Sequence, residues 1–435
     1  MKHLKQNIVI VFLLCASLVM AQQTPASKQT QPIAIMGATA HIGNGEIIEN
    51  SLIIFKKGKL TTVVDARVVK MDLSSMQVVN ANGKHVYPGF IIPNSTLGLV
   101  EIDAVRASDD DDEIGSLNPH IRSLIAYNAE SKVVESMRPN GVLIGQITPR
   151  GGRISGTSSV VQFDAWNWED AAIKVDDGIH LNWPNSFTRG RWWRGEDPGL
   201  KPNTNYAEQV EEVTSFLKES KTYQDSDKST KHLPFEAVQG LFDGSKKLYV
   251  HVDDAKGITD AINFKIQNGI SEMVVVGGYQ ALQVADLLKT HDIPILIKRV
   301  HSTPNNADDD YDKPFKLAKQ LTDAGVLVAL QNSGDMERMN ARNLPFLAGT
   351  AAAYGLRKEE ALQLITLNAA KILGIDNNYG SLEVGKSATL FISKGDALDM
   401  RTNVLDKAFI DGRDISLESH QTDLWKRYSN KYKNQ

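Results

Sequence analysis

From Ile33 the chain alternates apolar with small or polar residues in short runs broken by tight turns. IAIMGATAHIGNG, SLIIFKKGKLTTVVD and MQVVNANGKHVYPG read as strands and hairpins, the second pair joined across Lys56-Lys57-Gly58-Lys59. A small all-β unit is expected over 33–88. Beyond Pro88 the pattern changes to apolar runs alternating with amphipathic stretches. GVLIGQITP is a buried-strand candidate, followed by the glycine-rich RGGRISGTSS (150–159) and the strand VVQFDAW. LYVHVDD, SEMVVVGG, IPILIKRV and VLVALQN then follow as strands, with helices expected over Ala255–Asn268, YQALQVADLLKTHD and YDKPFKLAKQLTDAG between them. Such alternation predicts parallel βα units, in a barrel or a doubly wound sheet, and spacing alone does not separate the two.

KEEALQLITLNAAKILGI carries the period of one amphipathic helix. GSLEVGKSATLFISKGD and VLDKAFIDGRDI then return to strand and turn. β-sequence at both ends of a βα middle predicts one small β domain built from the two ends. Residues 182–246 interrupt the alternation. They are rich in Pro, Gly, Trp and Arg at first, with a helix expected over Ala207–Lys221, and read as a lid or binding loop or as a surface excursion.

The first residues carry a different pattern. Lys2 and Lys5 precede the apolar run Ile8–Leu14, and Val19-Met20-Ala21 offers a cleavage site, so 1–21 is expected to be a signal peptide. Export to the periplasm or the extracellular space follows from it. The polar linker QQTPASKQTQP (22–32) has no evident means of packing. No later run is long enough to span a membrane. The chain's one cysteine, Cys15, lies in that leader; Leu14 before it is not the small residue a lipidation site favours. The remainder therefore has no disulfide, thiol nucleophile or cysteine metal ligand. Without Lys2 and Lys5 there are 46 basic residues against 52 acidic, net −6, which gives no footprint for nucleic acid.

VYPGFI (86–91), LITLNAAKILGI (364–375), GSLEVGKSATLFI (380–392), GDALD (395–399) and AFIDGR (408–413) resemble the amidohydrolase superfamily, and within it the imidazolonepropionase-like metal-dependent hydrolases. The resemblance implies an α/β fold: a TIM-like (β/α)8 barrel over 89–379, a β-sandwich from 33–88 and 380–415, and a tail over 416–435. It also implies hydrolysis of a carbon–nitrogen bond in a small-molecule or peptide-like substrate by a water on a zinc-like divalent metal. Metal coordination lowers the pKa of such a water toward ~7.

The family's ligand positions are only partly met. The first-strand histidine pair falls on Asn94 and Thr96, whose neutral oxygens are weak donors for such an ion. The fifth-strand histidine is present as His251. The sixth falls at Gly277, and the last-strand aspartate at Asn332 or Ser333, with Asp335 just beyond. Of nine histidines after the leader, no two sit at the short spacing that places adjacent imidazoles on one metal.

His251 is thus the metal-ligand candidate, with Asp335 and His301 as catalytic candidates and Arg150, Gly152, Arg153 and Asp253 as pocket candidates. His251 also reads as a relic satisfied by hydrogen bonds, and Asp253-Asp254 as a cap for the following helix. Ser155 lacks the glycine of a nucleophile elbow at Arg153, so 150–159 reads as a pocket-shaping loop. The acidic runs 107–113 and 306–312 lack calcium-loop spacing and read as solvated loops. Arg189, Arg191, Trp192, Trp193 and Arg194 suit either an anionic or aromatic ligand or plain loop packing. Two functions follow: a hydrolase with a degenerate metal site and weak or absent metal-dependent hydrolysis, or a non-catalytic ligand-binding scaffold. The scaffold would be able to pair with an intact amidohydrolase as a hetero-oligomer.

Overall fold

A computed structural model describes residues 24–197, 199–225, 230–334 and 336–433; the leader expected over 1–21 lies outside these residues. The two chain ends meet in one eight-stranded sheet. Leu390–Ser393 pairs antiparallel with His85–Pro88, matching Phe391 to Tyr87, and that pair joins Leu405–Ile410 on one side to Ile33–His41 and Ile47–Lys56 on the other. Ile35, Ile53, Phe55, Val86, Leu390 and Phe409 fill the core beneath it. The hairpin Ile47–Lys56/Lys59–Asp65 turns on Lys57 and Gly58, both with φ near the left-handed region (52° and 78°), as a two-residue turn between twisted strands requires.

The second sheet has eight strands in chain order: Phe90–Ser95, Val142–Ile147, Ile154–Gln162, Ala172–Asn182, Lys247–Val252, Met273–Gly277, Ile295–Ile297 and Val328–Leu330. The pairings among the last four are parallel, as the sequence predicts. Ile154–Gln162 runs against both neighbours. The reason is connection length: a parallel crossover needs about a dozen residues or more, and 148–153 is too short for one. Six of the ten residues of the glycine-rich stretch expected as a loop, from Ile154 onward, are therefore strand. The barrel closes through a loop: Ile91 N donates to Ile365 O (2.9 Å) and Leu330 N to Leu364 O (3.1 Å). That use of backbone breaks the expected single helix into Lys358–Gln363 and Leu367–Leu373.

Inside the barrel Ile91, Ile144, Val160, Tyr249, Leu296 and Ala329 form an apolar layer on the helix Leu367–Leu373. Side chains two residues apart share a strand face. Continuing along those strands toward the mouth, the next inward positions are Gln146, Ser158, His251 and Gln331, a polar layer. Gly178 makes room for the Tyr249 ring, since a Cβ there would stand 2.3 Å from its Cε2.

Three expectations about loops change. The segment around Ala26 does pack: Ala26 N donates to Asp164 Oδ2 (3.0 Å), and Gln29 bonds Gly58 N and Phe55 O. In the 182–246 excursion the helix Tyr206–Gln224 buries Val213, Phe216 and Leu217, so it belongs to the outer layer of the barrel; the strands of the hairpin Phe187–Arg189/Leu200–Pro202 are exposed. Nor are the acidic runs simply solvated. Asp309 accepts bonds from Tyr279 Oη and Lys313 Nζ, which pull its carboxyl down to about 2, Asp312 is buried, and Asp111 O accepts from Arg150 N.

Candidate functional site

At the mouth of the first strand the pairing slips between Ile92 and Ser95, and Asn94 sits there in the left-handed region (φ 51°), which asparagine tolerates better than most side chains. Asn94 is buried and fully engaged. Its N donates to Gln146 Oε1 (3.0 Å), its Nδ2 to Gln331 Oε1 (3.3 Å), and its Oδ1 accepts from Arg150 Nη1 (3.0 Å). Arg150 Nη2 also bonds Asn94 O (3.0 Å) and both carboxylate oxygens of Glu337 (3.2 and 3.0 Å). Glu337 Oε1 further accepts from Thr96 N (2.8 Å) and Thr96 Oγ1 (3.3 Å). The two positions matching the family's first-strand ligands are thus tied together by a guanidinium and a carboxylate.

His251 lies one strand over from a second imidazole. His180 Nδ1 is 2.9 Å from His251 Nε2, so one ring nitrogen donates and the other accepts. His180 stacks on the Tyr249 ring (centroids 4.7 Å apart, 3° between planes), and Tyr249 Oη donates to Asp177 Oδ2 (2.9 Å). Ser158 Oγ and Gln146 Nε2 donate to the same carboxyl (2.7 and 2.8 Å). Burial, followed by the Arg150 charge, lowers His251 to about 3; burial, then His251, then Arg150, holds His180 well below its usual value. Both imidazoles are neutral at physiological pH. Burial raises Asp177 against the donors that favour its charged form.

The other sequence candidates are dispersed. His301 is exposed and bonds Thr350 Oγ1 (2.7 Å), in a groove that also contains Phe346 and Leu398, so its partners are not those of His251. Asp253 Oδ2 faces Lys298 Nζ (3.4 Å). Its neighbour Asp254 caps the helix Ala255–Asn268 through Gly257 N (2.8 Å), the capping role considered for this pair. Gly277 has φ 106°, and a Cβ there would lie 2.6 Å from Asp253 Oδ1, so this backbone leaves no room for a sixth-strand ligand. Asn332 Nδ2 donates to Glu337 O and Ser333 N to Gln331 Oε1. Arg153 Nη1 bonds Asn182 O (2.7 Å), and Gly152 (φ 58°) passes between Gly115 O and Ser116 O. Asp335 lies outside the described residues.

The His251 nitrogen that faces another imidazole is occupied by it, Asn94 and Thr96 offer only neutral oxygens, and the Glu337 carboxylate is neutralised by Arg150. Among the described residues no group of three His, Cys, Asp or Glu side chains converges as a metal site. The sequence reading missed His180, Gln146, Gln331, Asp177 and Glu337. His180 had one usable signal: an imidazole in a strand-like run, GIHLNW, of the same parity as the buried face.

A family model described as Amidohydrolase family matches residues 237–415. An imidazolonepropionase from Flavobacterium psychrophilum is 29% identical over 109 residues, 23% of this chain, and that match spans only about a quarter (26%) of the relative's length. An imidazolonepropionase from Flavobacterium johnsoniae is 24% identical over 337 residues, covering 68% of this chain and 81% of that enzyme. The crystal structure of an amidohydrolase from Thermotoga maritima superposes with a TM-score of 0.76 at 22% identity, over 88% of this chain and 99% of that one, which shows a shared fold. The family match over 237–415, the relatives and the shared TIM-like architecture together support an amidohydrolase-superfamily member.

Proposed function

We propose that this chain is an exported amidohydrolase-fold protein that binds a small-molecule or peptide-like C–N compound at the barrel mouth and has weak or absent metal-dependent hydrolysis. The observation that carries the reading is the Arg150 guanidinium held between Asn94 Oδ1 and the Glu337 carboxylate. A fixed cation with its own counter-charge stands beside the first-strand ligand positions. Its field already disfavours a second positive charge at His251. The neutral His180–His251 pair can exchange a hydrogen bond with a ligand at the mouth, and Arg150 favours negative charge there. A non-catalytic scaffold that pairs with an intact amidohydrolase is the limit of the same reading, in which residual turnover is zero.

The test is turnover of a panel of imidazolones, N-acyl amino acids and dipeptides by the purified chain, with and without added zinc or manganese. The reading expects no metal-dependent rate above that of the His251→Ala variant. A rate that metal raises and that His251→Ala abolishes contradicts it.

A further inference from the structure

The hairpin Phe187–Arg189/Leu200–Pro202 leaves the barrel just beyond the mouth end of the strand Ala172–Asn182. Two contacts hold it over that end. Ser186 Oγ donates to Asp254 Oδ1 (2.7 Å), at the end of the His251 strand, and Arg189 Nη2 reaches Asn306 Oδ1 (3.4 Å) on the loop that follows Ile295–Ile297. The hairpin therefore reaches from the fourth barrel strand to the loop after the seventh.

Its tip, Arg191–Arg194, carries two adjacent indoles, Trp192 and Trp193, 72% and 67% exposed, edge to face with centroids 6.2 Å apart. Water contact over two such rings is unfavourable, and exposed aromatic clusters mark contact sites. The charges are equally unspent. Among the described residues neither Arg191 nor Arg194 has a carboxylate partner, and Arg189 has only the Asn306 amide. The nearby acids are already used: Glu196 accepts Arg191 N and Asp197 faces Lys201. Two guanidiniums without a carboxylate partner among the described residues, Arg191 and Arg194, thus flank two exposed π-faces on this hairpin.

We propose that this hairpin is the recognition arm of the barrel mouth and that it takes a planar aromatic anion, the ring stacking on Trp192 or Trp193 and the carboxylate pairing with Arg191 or Arg194. This rests on the ligand-binding reading above and narrows its ligand class. Arginine and tryptophan side by side suit such a ligand because one supplies a forked donor pair for carboxylate and the other a π-face.

The probe is N-benzoylglycine, which carries ring, amide and carboxylate, titrated against the full chain by calorimetry and tryptophan fluorescence. N-benzoylglycinamide lacks the charge and N-acetylglycine lacks the ring. The arm predicts saturable binding of the first, with both comparators weaker by about tenfold, as loss of one charge-assisted or stacking contact of about 1.4 kcal/mol implies. Trp192→Ala/Trp193→Ala and Arg191→Gln/Arg194→Gln should each weaken it similarly while far-ultraviolet circular dichroism stays unchanged. Equal binding of all three compounds, binding undiminished in both double variants, no binding of the first compound, or indole quenching by anionic phospholipid vesicles alone would each overturn the assignment. None of these readouts requires turnover. Metal-dependent hydrolysis would therefore refute the degenerate-site reading while leaving the arm standing.

Discussion

His180 Nδ1 and His251 Nε2 stand 2.9 Å apart inside the barrel, each imidazole spending a nitrogen on the other. Both are held neutral, His251 down to about 3, by burial first and then by neighbouring positive charge. Unfolding exposes them to water, where an imidazole titrates near 6.5. Above that pH neither state binds the proton and their full contribution to stability is present. As pH falls from 6.5 toward 3 the unfolded chain takes up protons that the folded chain refuses, and stability declines by up to about 1.4 kcal/mol per pH unit for each such group. Urea unfolding of the wild type between pH 7.5 and 5 should show this fall, and His180→Asn/His251→Asn should flatten it.

The Arg150–Glu337 pair makes a second prediction. Glu337 is nearly buried, with 8% of its side chain exposed, and Arg150 is 24% exposed. Glu337→Gln leaves the guanidinium without its counter-charge and should cost about 2–3 kcal/mol by denaturant midpoint. Arg150→Met/Glu337→Met should cost less than the sum of the single changes by about 1 kcal/mol or more, since removing both charges strands neither. Additive losses would mean the two side chains act independently.

Packing inside the barrel is tested at Gly178. A Cβ there would meet Tyr249 Cε2 at 2.3 Å and Lys247 O at 2.7 Å, so Gly178→Ala should destabilise by about 2 kcal/mol and displace the ring under His180. Near-ultraviolet circular dichroism and thermal midpoint report both effects. A neutral substitution would show that the strand gives way at that point.

Asp164 anchors the segment around Ala26. With 2% of its side chain exposed, it accepts Arg138 Nη1 (2.9 Å), Arg413 Nη1 (2.7 Å) and Ala26 N (3.0 Å), tying barrel, end sheet and N-terminal segment together. Asp164→Ala leaves two arginines short of a counter-charge and should cost roughly 3–5 kcal/mol. Deleting the chain up to Gln31 removes the Ala26 N–Asp164 and Arg413–Ala26 O bonds, each with one charged partner, together with the Gln29 contacts, and should cost about 2 kcal/mol.

How much of this was legible in the sequence follows the range of the interactions. The parallel strands read out directly because Val274–Val276 and its counterparts are unbroken apolar runs. The strands of the eight-stranded end sheet read out from their hairpins. The helix break at 364–366 did not, because the amphipathic period runs through it and the backbone is diverted only by the unpaired edges at Ile91 and Leu330. The anchoring of Ala26 depends on a carboxylate 138 residues away. His180 acquires its meaning from cross-strand register, which pairs it with Tyr249 and so sets it beside His251. Glu337 lies beyond the last-strand ligand position, in the short helix Glu337–Asn340, and becomes part of the site only because Arg150 and Thr96 converge on it.

Metal content is the most direct measure of the account. The barrel mouth holds a guanidinium against a carboxylate and two imidazoles against each other, so an ion would have to displace those contacts to bind. Protein purified from medium supplemented with zinc, manganese and iron should carry far less than one metal per chain by elemental analysis, and His251→Ala should not change that figure. One metal per chain in the wild type, lost in His251→Ala, would contradict it.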